Sequence, residues 1–230
     1  MKKQDFIFIG AAILFLLPFF VCPSVYKWYN TFNTEHGMIM SFFKFAILAT
    51  TGEVIGLRIT SGVYNRKGFG ILPRALVWGI LGMGISMAMK IFAAGTPAFL
   101  EYMGMEGAKT MIAETAFSWQ KALVAFCISV SMNCIFAPMF MTLHKITDTH
   151  IMNNGGTLKG FFTPIKYTQI LKNLNWEVQW KFVFMKTIPL FWFPAHTITF
   201  LLPQDLQVLF AALLGVALGV ILSIANLKKK

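Results

Sequence analysis

Residues 38–60 read MIMSFFKFAILATTGEVIGLRIT, and Glu53 is the only carboxylate in this stretch. The stretch is long enough for a membrane helix, since about 20 predominantly apolar residues cross the hydrocarbon core of a bilayer. A carboxylate about midway along such a helix is costly unless it faces protein, water or a cation. Gly52 and Gly56 flank it at a spacing that allows close helix approach. The stretch therefore predicts a membrane-spanning helix with Glu53 facing the inside of a helix bundle.

Five more apolar segments share this character, and together they predict an all-α polytopic membrane bundle. The six segments are 6–25, 38–60, 71–95, 117–143, 182–202 and 206–226. The fifth holds Pro189 and Pro194, which remove backbone donors and kink helices, so it is either a clean span or a broken or re-entrant element. Hydrophobic residues make up 57% of the chain and charged residues 13%, a balance that does not suit a water-soluble fold. We expect one transmembrane domain over residues 1–230.

The start of the chain, Met1-Lys2-Lys3 followed by an apolar run, is similar to a secretory signal. The sequence after that run, Val21-Cys22-Pro23-Ser24, lacks both an Ala-x-Ala site and a lipobox, so we interpret the run as an uncleaved first span. It is also unlike an Arg-rich, Ser-rich presequence. This favours the inner (cytoplasmic) membrane of a bacterium, with an organelle membrane as the alternative.

The positive charge supports an even number of spans. The net charge is +11, and the basic residues flank apolar segments, which indicates contact with lipid headgroups and not with nucleic acid. With six spans and both termini inside, most of the 20 basic residues fall on the cytoplasmic side. These are Lys2, Lys3, Arg58, Arg66, Lys67, Arg74, Lys145, Lys159, Lys166, Lys172, Lys181, Lys186 and Lys228 to Lys230. Only Lys27 and Lys109 fall outside.

The longest polar gap, residues 144–181, contains the turn Asn153-Asn154-Gly155-Gly156 and then alternating apolar and basic residues. Over 165–181 this pattern is typical of an amphipathic helix on the inner membrane surface, with Trp176 and Trp180 at headgroup depth. An ordinary solvated loop helix is the alternative.

Three polar residues are candidates for the bundle interior: Glu53, Asn133 and His196. Glu53 would either line a pore or bind a proton or cation, or it would pair with a basic or hydroxyl group of another helix. The Asn133 amide can bond across helices, and His196 either titrates or is a satisfied core histidine.

Three lysines, Lys44, Lys90 and Lys121, lie just inside the outer ends of spans two, three and four. If they converge, they form a positive outer vestibule that favours anions. Each side chain is also long enough to extend its ammonium group to the interface instead.

The sequence contains no pattern typical of a catalytic or cofactor site. HExxH, GxSxG, a phosphate-binding loop and a close carboxylate pair are all absent from it. Cys22, Cys127 and Cys134 form no CxxC motif and are interpreted as small packing residues. We therefore expect no catalytic residues, no cofactor and no metal, and a protein that is not an enzyme.

Several short motifs resemble those of the Mpv-seventeen and twenty-two-kilodalton peroxisomal membrane protein family, whose members include bacterial relatives. Gly52-Glu53 is similar to a Gly-Asp of the first family helix, and Arg74 with Gly79 to the opening of the next. The remaining similarities are at Met132-Asn133 with Ala137-Pro138, at Phe193-Pro194 with Phe200 and Pro203, and at Leu222-Ser223. Met132 stands where the family has an acid, Leu57 where it has Gln, and Leu218 where it has Trp.

The resemblance covers residues 38–223 and implies a non-selective channel or small-metabolite conduit that affects membrane homeostasis. Our hypothesis is accordingly a small-solute conduit in the lipid bilayer, whose partners are lipid and a small solute or ion, with oligomer formation open. The alternative is a structural or assembly protein that conducts nothing. A coupled transporter would need an inverted repeat, which the sequence does not show.

Overall fold

Residues 2–227 are described by a computed structural model, with the side chain of Asn226 left out, and they form helices and connecting turns without a strand. The chain divides into two compact units, Met1–Met40 and Ser41–Lys230. The α-helices are α1 Lys3–Val21, α2 Pro23–Glu35, α3 Gly37–Ser61, α4 Ile71–Tyr102, α5 Ala108–Ala113, α6 Trp119–Asn153, α7 Leu158–Phe161, α8 Tyr167–Asn173, α9 Trp176–Val178, α10 Phe193–Leu201 and α11 Gln204–Leu227. A π-helix occupies Gln179–Trp192, between α9 and α10.

The first unit is a pair of helices with different surfaces. Most side chains of α1 are apolar and exposed, as expected for a helix that faces lipid, whereas α2 is more polar. The two helices meet where the ring of Phe19 stands edge-on to the ring of Tyr29, with 5.5 Å between centroids. The predicted span 6–25 is wrong at its end. The helix stops at Val21 because Cys22 precedes Pro23 and takes an extended conformation.

The second unit is built around α6, whose side chains Val124, Ala125 and Ile128 are fully buried. Neighbouring helices α3, α4, α10 and α11 contribute Phe45, Met89, Phe200 and Ala212 to the same apolar core. Among residues 2–227, five helices are long and apolar enough to cross a membrane: α1, α3, α4, α6 and the segment Gln204–Ala225 of α11. Gly52 and Gly56 allow α11 to approach α3 closely, as their spacing predicted. A Cβ on Gly52 would lie 2.8 Å from Cα of Val216, and one on Gly56 would lie 2.7 Å from Oγ of Ser223.

The fifth predicted span differs from the other five. Residues 179–201 are helical throughout, but a π-helix changes to α10 at Phe193, so neither part is a long α-helix. Pro189 lies inside the π-helix and Pro194 in the first turn of α10, and both lack the amide hydrogen of a regular α-helix. Proline is not sufficient for such a change here, since α4 and α6 continue as α-helix through Pro97 and Pro138. The structure thus has five long α-helical candidates and one composite helix where the sequence predicts six spans.

The predicted amphipathic helix over 165–181 is wrong as a single element. Helix α8 ends at Asn173, Leu174 is extended, and Asn175 caps α9 by accepting a hydrogen bond from the amide of Val178 at 3.0 Å. The indole of Trp176 folds back and donates to the carbonyl of Leu171. The Asn175 cap therefore divides the segment into the short helix α8 and the first residues of a helical run that continues from Trp176 into the π-helix.

Two connecting segments meet at one end of the second unit. A Cβ on Gly70 would lie 2.7 Å from Cγ2 of Ile151 and 3.0 Å from Cα of Gly156. The turn before α4 thus packs on the turn after α6. The charge pattern of the sequence predicts the same side of a membrane for both turns.

Candidate functional site

Glu53 lies on α3 at the junction of three helices, and its carboxylate has three partners. Its Oε2 accepts a hydrogen bond from Nη1 of Arg74 at 2.5 Å, and its Oε1 accepts one from Nε1 of Trp78 at 2.9 Å. Nε2 of His144 lies 3.3 Å from the same Oε1. Arg74 and Trp78 are one turn apart on α4, and His144 is on α6. The carboxylate is therefore fixed from two neighbouring helices.

Arg74 bridges two carboxylates. Besides Glu53, its Nη1 donates to Oδ1 of Asp148 on α6. Its Nε donates to the carbonyl of Phe69 at 2.7 Å, and the guanidinium lies over the Phe69 ring. Its side chain is 5% exposed, so this cation is removed from solvent and held by two opposite charges.

The sequence did not predict this cluster, because the predicted span four ends at residue 143. Helix α6 instead continues to Asn153, so His144 and Asp148 lie one turn apart on its last third. Asp148 is a second interior carboxylate beside Glu53, whereas the sequence predicted Glu53 alone. The signal available in the sequence was the four-residue spacing of His144 and Asp148, which puts both on one face of a helix.

Glu53, His144 and Asp148 each offer a ligand atom, and these atoms lie within 4.8 Å of one another. Such a set can bind a metal ion, but the Arg74 guanidinium bonds to both carboxylates. A metal ion would have to displace this internal cation. The arrangement therefore fits a guanidinium better than a metal.

A cavity of about 300 Å³, here called the central cavity, contains all three predicted interior residues. Glu53, Asn133 and His196 line it together with His144, Trp192 and apolar side chains that include Phe45, Phe136 and Phe140. Polar groups from α3, α6 and α10 thus share one space inside the second unit.

Asn133 and His196 are held differently from Glu53. Nδ2 of Asn133 donates to the carbonyl of Ser129 within α6, at 2.8 Å. The His196 ring stacks on Trp192 with 5.0 Å between centroids, and its Nδ1 lies 3.5 Å from Oγ1 of Thr199. Nε1 of Trp192 is buried and has no partner among the described residues. The central cavity therefore has hydrogen-bonding groups in an otherwise apolar wall.

A second cavity of about 760 Å³, here called the inner cavity, lies at the end of the unit where the two turns meet. Its wall includes Arg66, Lys67, Arg74, Lys145 and Asp148. Glu53, Gly219 and Leu222 line both this cavity and the central one. Glu53 and its partners therefore stand between the two spaces.

A third cavity, of about 680 Å³, is lined by two of the three lysines predicted to form a vestibule. Lys90 is exposed there, whereas Lys121 is buried and donates to the carbonyl of Glu114. Lys44 does not line this cavity. It is buried on α3 within electrostatic reach of Asp205. The expected group of three lysines is thus reduced to two, and only one of those has an exposed side chain.

An apolar layer lies between the central cavity and this third cavity, here called the outer cavity. Phe45, Met132 and Ala211 line the central side, and Met89 and Ile128 line the outer side. All five belong to one buried core. Within the described part of the chain, no residue lines both the central cavity and the outer one.

No family model, curated protein or solved structure matches this chain. The resemblance to the Mpv-seventeen family thus remains a hypothesis that rests on short motifs. Two positions of those motifs, Glu53 and Arg74, are ion-paired in the structure.

Proposed function

We propose that the protein is an integral membrane protein that forms a conduit for small solutes or ions. The observation that carries the proposal is the position of Glu53, which lines both the inner and the central cavity. Asn133 and His196 extend the hydrogen-bonding surface along the central cavity. A conduit needs polar groups at several depths on facing helices, and these residues supply them over part of the path.

In this proposal the apolar layer is the closed gate. A hydrophobic constriction stops water and solutes without a covalent or charged barrier. Met132 is 3% exposed and lies on the central side of the layer. Opening would require the side chains of the layer to separate, which links the central cavity to the outer one that Lys90 and Lys121 line.

The alternative is a membrane scaffold that conducts nothing, and the completeness of the ion-pair cluster favours it. Arg74 satisfies Glu53 and Asp148 at once, as expected for a device that fixes three helices. A scaffold needs only such contacts and close packing between small residues.

We further propose that the chain crosses the membrane six times, with the composite helix 179–201 as the fifth crossing. Both termini would then lie on the cytoplasmic side of a bacterial inner membrane, with an organelle membrane as the alternative. The proposal includes membership of the Mpv-seventeen family and no enzymatic activity.

The test is purified protein in liposomes, assayed for ion current and for release of an entrapped small dye. We expect Met132→Ala to increase flux over wild type, because it shortens a side chain of the apolar layer. Ile135→Ala is the matched control, since Ile135 is on the same helix but exposed on its outer surface. Equal, background flux from wild type and both variants, all folded, would reject the conduit and favour the scaffold.

A further inference from the structure

The inner cavity has an excess of positive charge that the ion-pair cluster does not use. Its wall holds four cations, Arg66, Lys67, Arg74 and Lys145, but only two carboxylates, Glu53 and Asp148. Both carboxylates are bonded to Arg74. Within residues 2–227, the side chains of Arg66 and Lys67 form no ion pair, and Lys145 is only within electrostatic reach of Asp148. Three cations therefore lack an ion-pair partner among the described residues, and the four cations of the wall exceed its two carboxylates by two charges.

These three cations come from two separate parts of the chain. Arg66 and Lys67 lie on the turn before α4, and Lys145 lies on α6, so the contact between the two turns brings them together. All three side chains are exposed. Each is thus able to reach a ligand without first breaking a bond inside the protein.

Arg74, which also lines the cavity, offers a further hydrogen-bond donor. Nε of Arg74 donates to Phe69, and Nη1 donates to both Glu53 and Asp148. Nη2 makes no bond to the described residues. The two hydroxyls in the wall do not add donors. Thr60 donates to the carbonyl of Gly56, and Ser223 donates to the carbonyl of Gly219. The free donors of this wall are therefore cationic.

We propose that the inner cavity binds a phosphate-bearing anion, held by Arg66, Lys67 and Lys145 above the Arg74 guanidinium. An arginine fork and two lysine ammonium groups are the donors that proteins use for phosphate oxygens. A volume of about 760 Å³ leaves room for more than a single phosphate group. The phosphate belongs either to a lipid headgroup or to a soluble anion that enters from the cytoplasmic side.

The position of Glu53 limits how far the anion goes. Glu53 lines both the inner and the central cavity, and its carboxylate repels a second negative charge, so the anion stays in the inner cavity and does not enter the central one. This inference does not depend on the proposed conduit, because binding in the inner cavity requires no passage through the apolar layer.

Binding is tested on the full chain in nanodiscs, with Arg66→Gln/Lys67→Gln/Lys145→Gln as the site variant. The control variant, Lys159→Gln/Lys166→Gln/Lys172→Gln, loses the same charge from exposed positions outside the inner cavity. In one arm, pyrophosphate is titrated at constant ionic strength into protein in phosphatidylcholine discs, with the thermal midpoint as readout. In the other, discs contain phosphatidylglycerol as well, and lipid retained by the purified protein is measured by mass spectrometry.

We expect the site variant to bind the responding anion at least about tenfold more weakly than wild type, while the control variant retains wild-type binding. A response to pyrophosphate identifies a soluble phosphate, and retention of phosphatidylglycerol alone identifies a lipid. Equal loss in both variants would show general surface attraction and overturn the proposal. No response of wild type in either arm would overturn it as well.

Discussion

Glu53 of α3 and Arg74 of α4 form an ion pair inside the helix bundle, with 2.5 Å between Oε2 and Nη1. The same Nη1 also bonds to Asp148, so one cation links α3, α4 and α6. The bridge is asymmetric, because Arg74 bonds to two carboxylates, whereas Glu53 is also held by Trp78 and His144. The consequences of removing each member therefore differ.

Arg74→Gln should destabilise the protein by about 3–5 kcal/mol, since it removes the cation that bonds to Asp148 and leaves Glu53 with only Trp78 and His144. Glu53→Gln should cost less, because Arg74 keeps Asp148. Thermal or denaturant unfolding in detergent checks the order, with Lys172→Gln as a charge-matched surface control. An Arg74→Gln protein as stable as that control would show that the bridge contributes nothing.

Glu53→Gln should also change ion selectivity if the conduit proposal is right, because it removes the only carboxylate that lines the central cavity among the described residues. Asp148→Asn is the matched control. Asp148 is the other carboxylate bonded to Arg74, but it lines the inner cavity and not the central one. Reversal potentials in planar bilayers are the measurement. The same selectivity in both variants and wild type would exclude Glu53 from the path.

Gly52→Ala should destabilise the protein by about 1–3 kcal/mol, because the new methyl group meets the backbone of Val216 and forces α3 and α11 apart. Gly84→Ala is the control. It lies in α4 with open space around its Cα, so the substitution should be neutral or stabilise by up to about 1 kcal/mol. The measurement is the unfolding midpoint of each variant. Similar midpoints for Gly52→Ala and Gly84→Ala would refute close packing at Gly52.

Topology is checked by cysteine labelling after Cys22, Cys127 and Cys134 have been replaced. A cysteine at position 109 should react from the outside and one at position 166 from the cytoplasm, because the basic residues gather on the side of 166. Labelling of both positions from the same face would rule out the proposed six crossings.

The helices and their closest contacts could be predicted from sequence because they depend on local patterns. Apolar runs located the long helices, and the spacing of Gly52 and Gly56 predicted the approach that α11 makes. Glu53 was found through the cost of a charge in an apolar stretch. Each of these inferences needs only a few neighbouring residues.

The partners of Glu53 could not be predicted in this way. Arg74 follows it by 21 residues and Asp148 by 95, and one sequence does not show which distant side chains meet. The polar character of residues 144–153 also suggested a loop, although helix α6 continues through it. The vestibule prediction failed in part for a related reason: Lys44 and Lys121 are buried, which helix position alone does not reveal.

Helix α6 has 35 residues and is therefore roughly 50 Å long, whereas the hydrocarbon core of a bilayer is about 30 Å thick. In the proposed membrane arrangement such a helix must tilt or extend beyond the hydrocarbon, and His144 and Asp148 lie on its last third. The acyl-chain length of the surrounding lipid then determines whether these charges meet headgroups or hydrocarbon. Short-chain lipids would leave the Arg74 bridge hydrated and weak, while long-chain lipids would strengthen the attraction and increase the cost of breaking it.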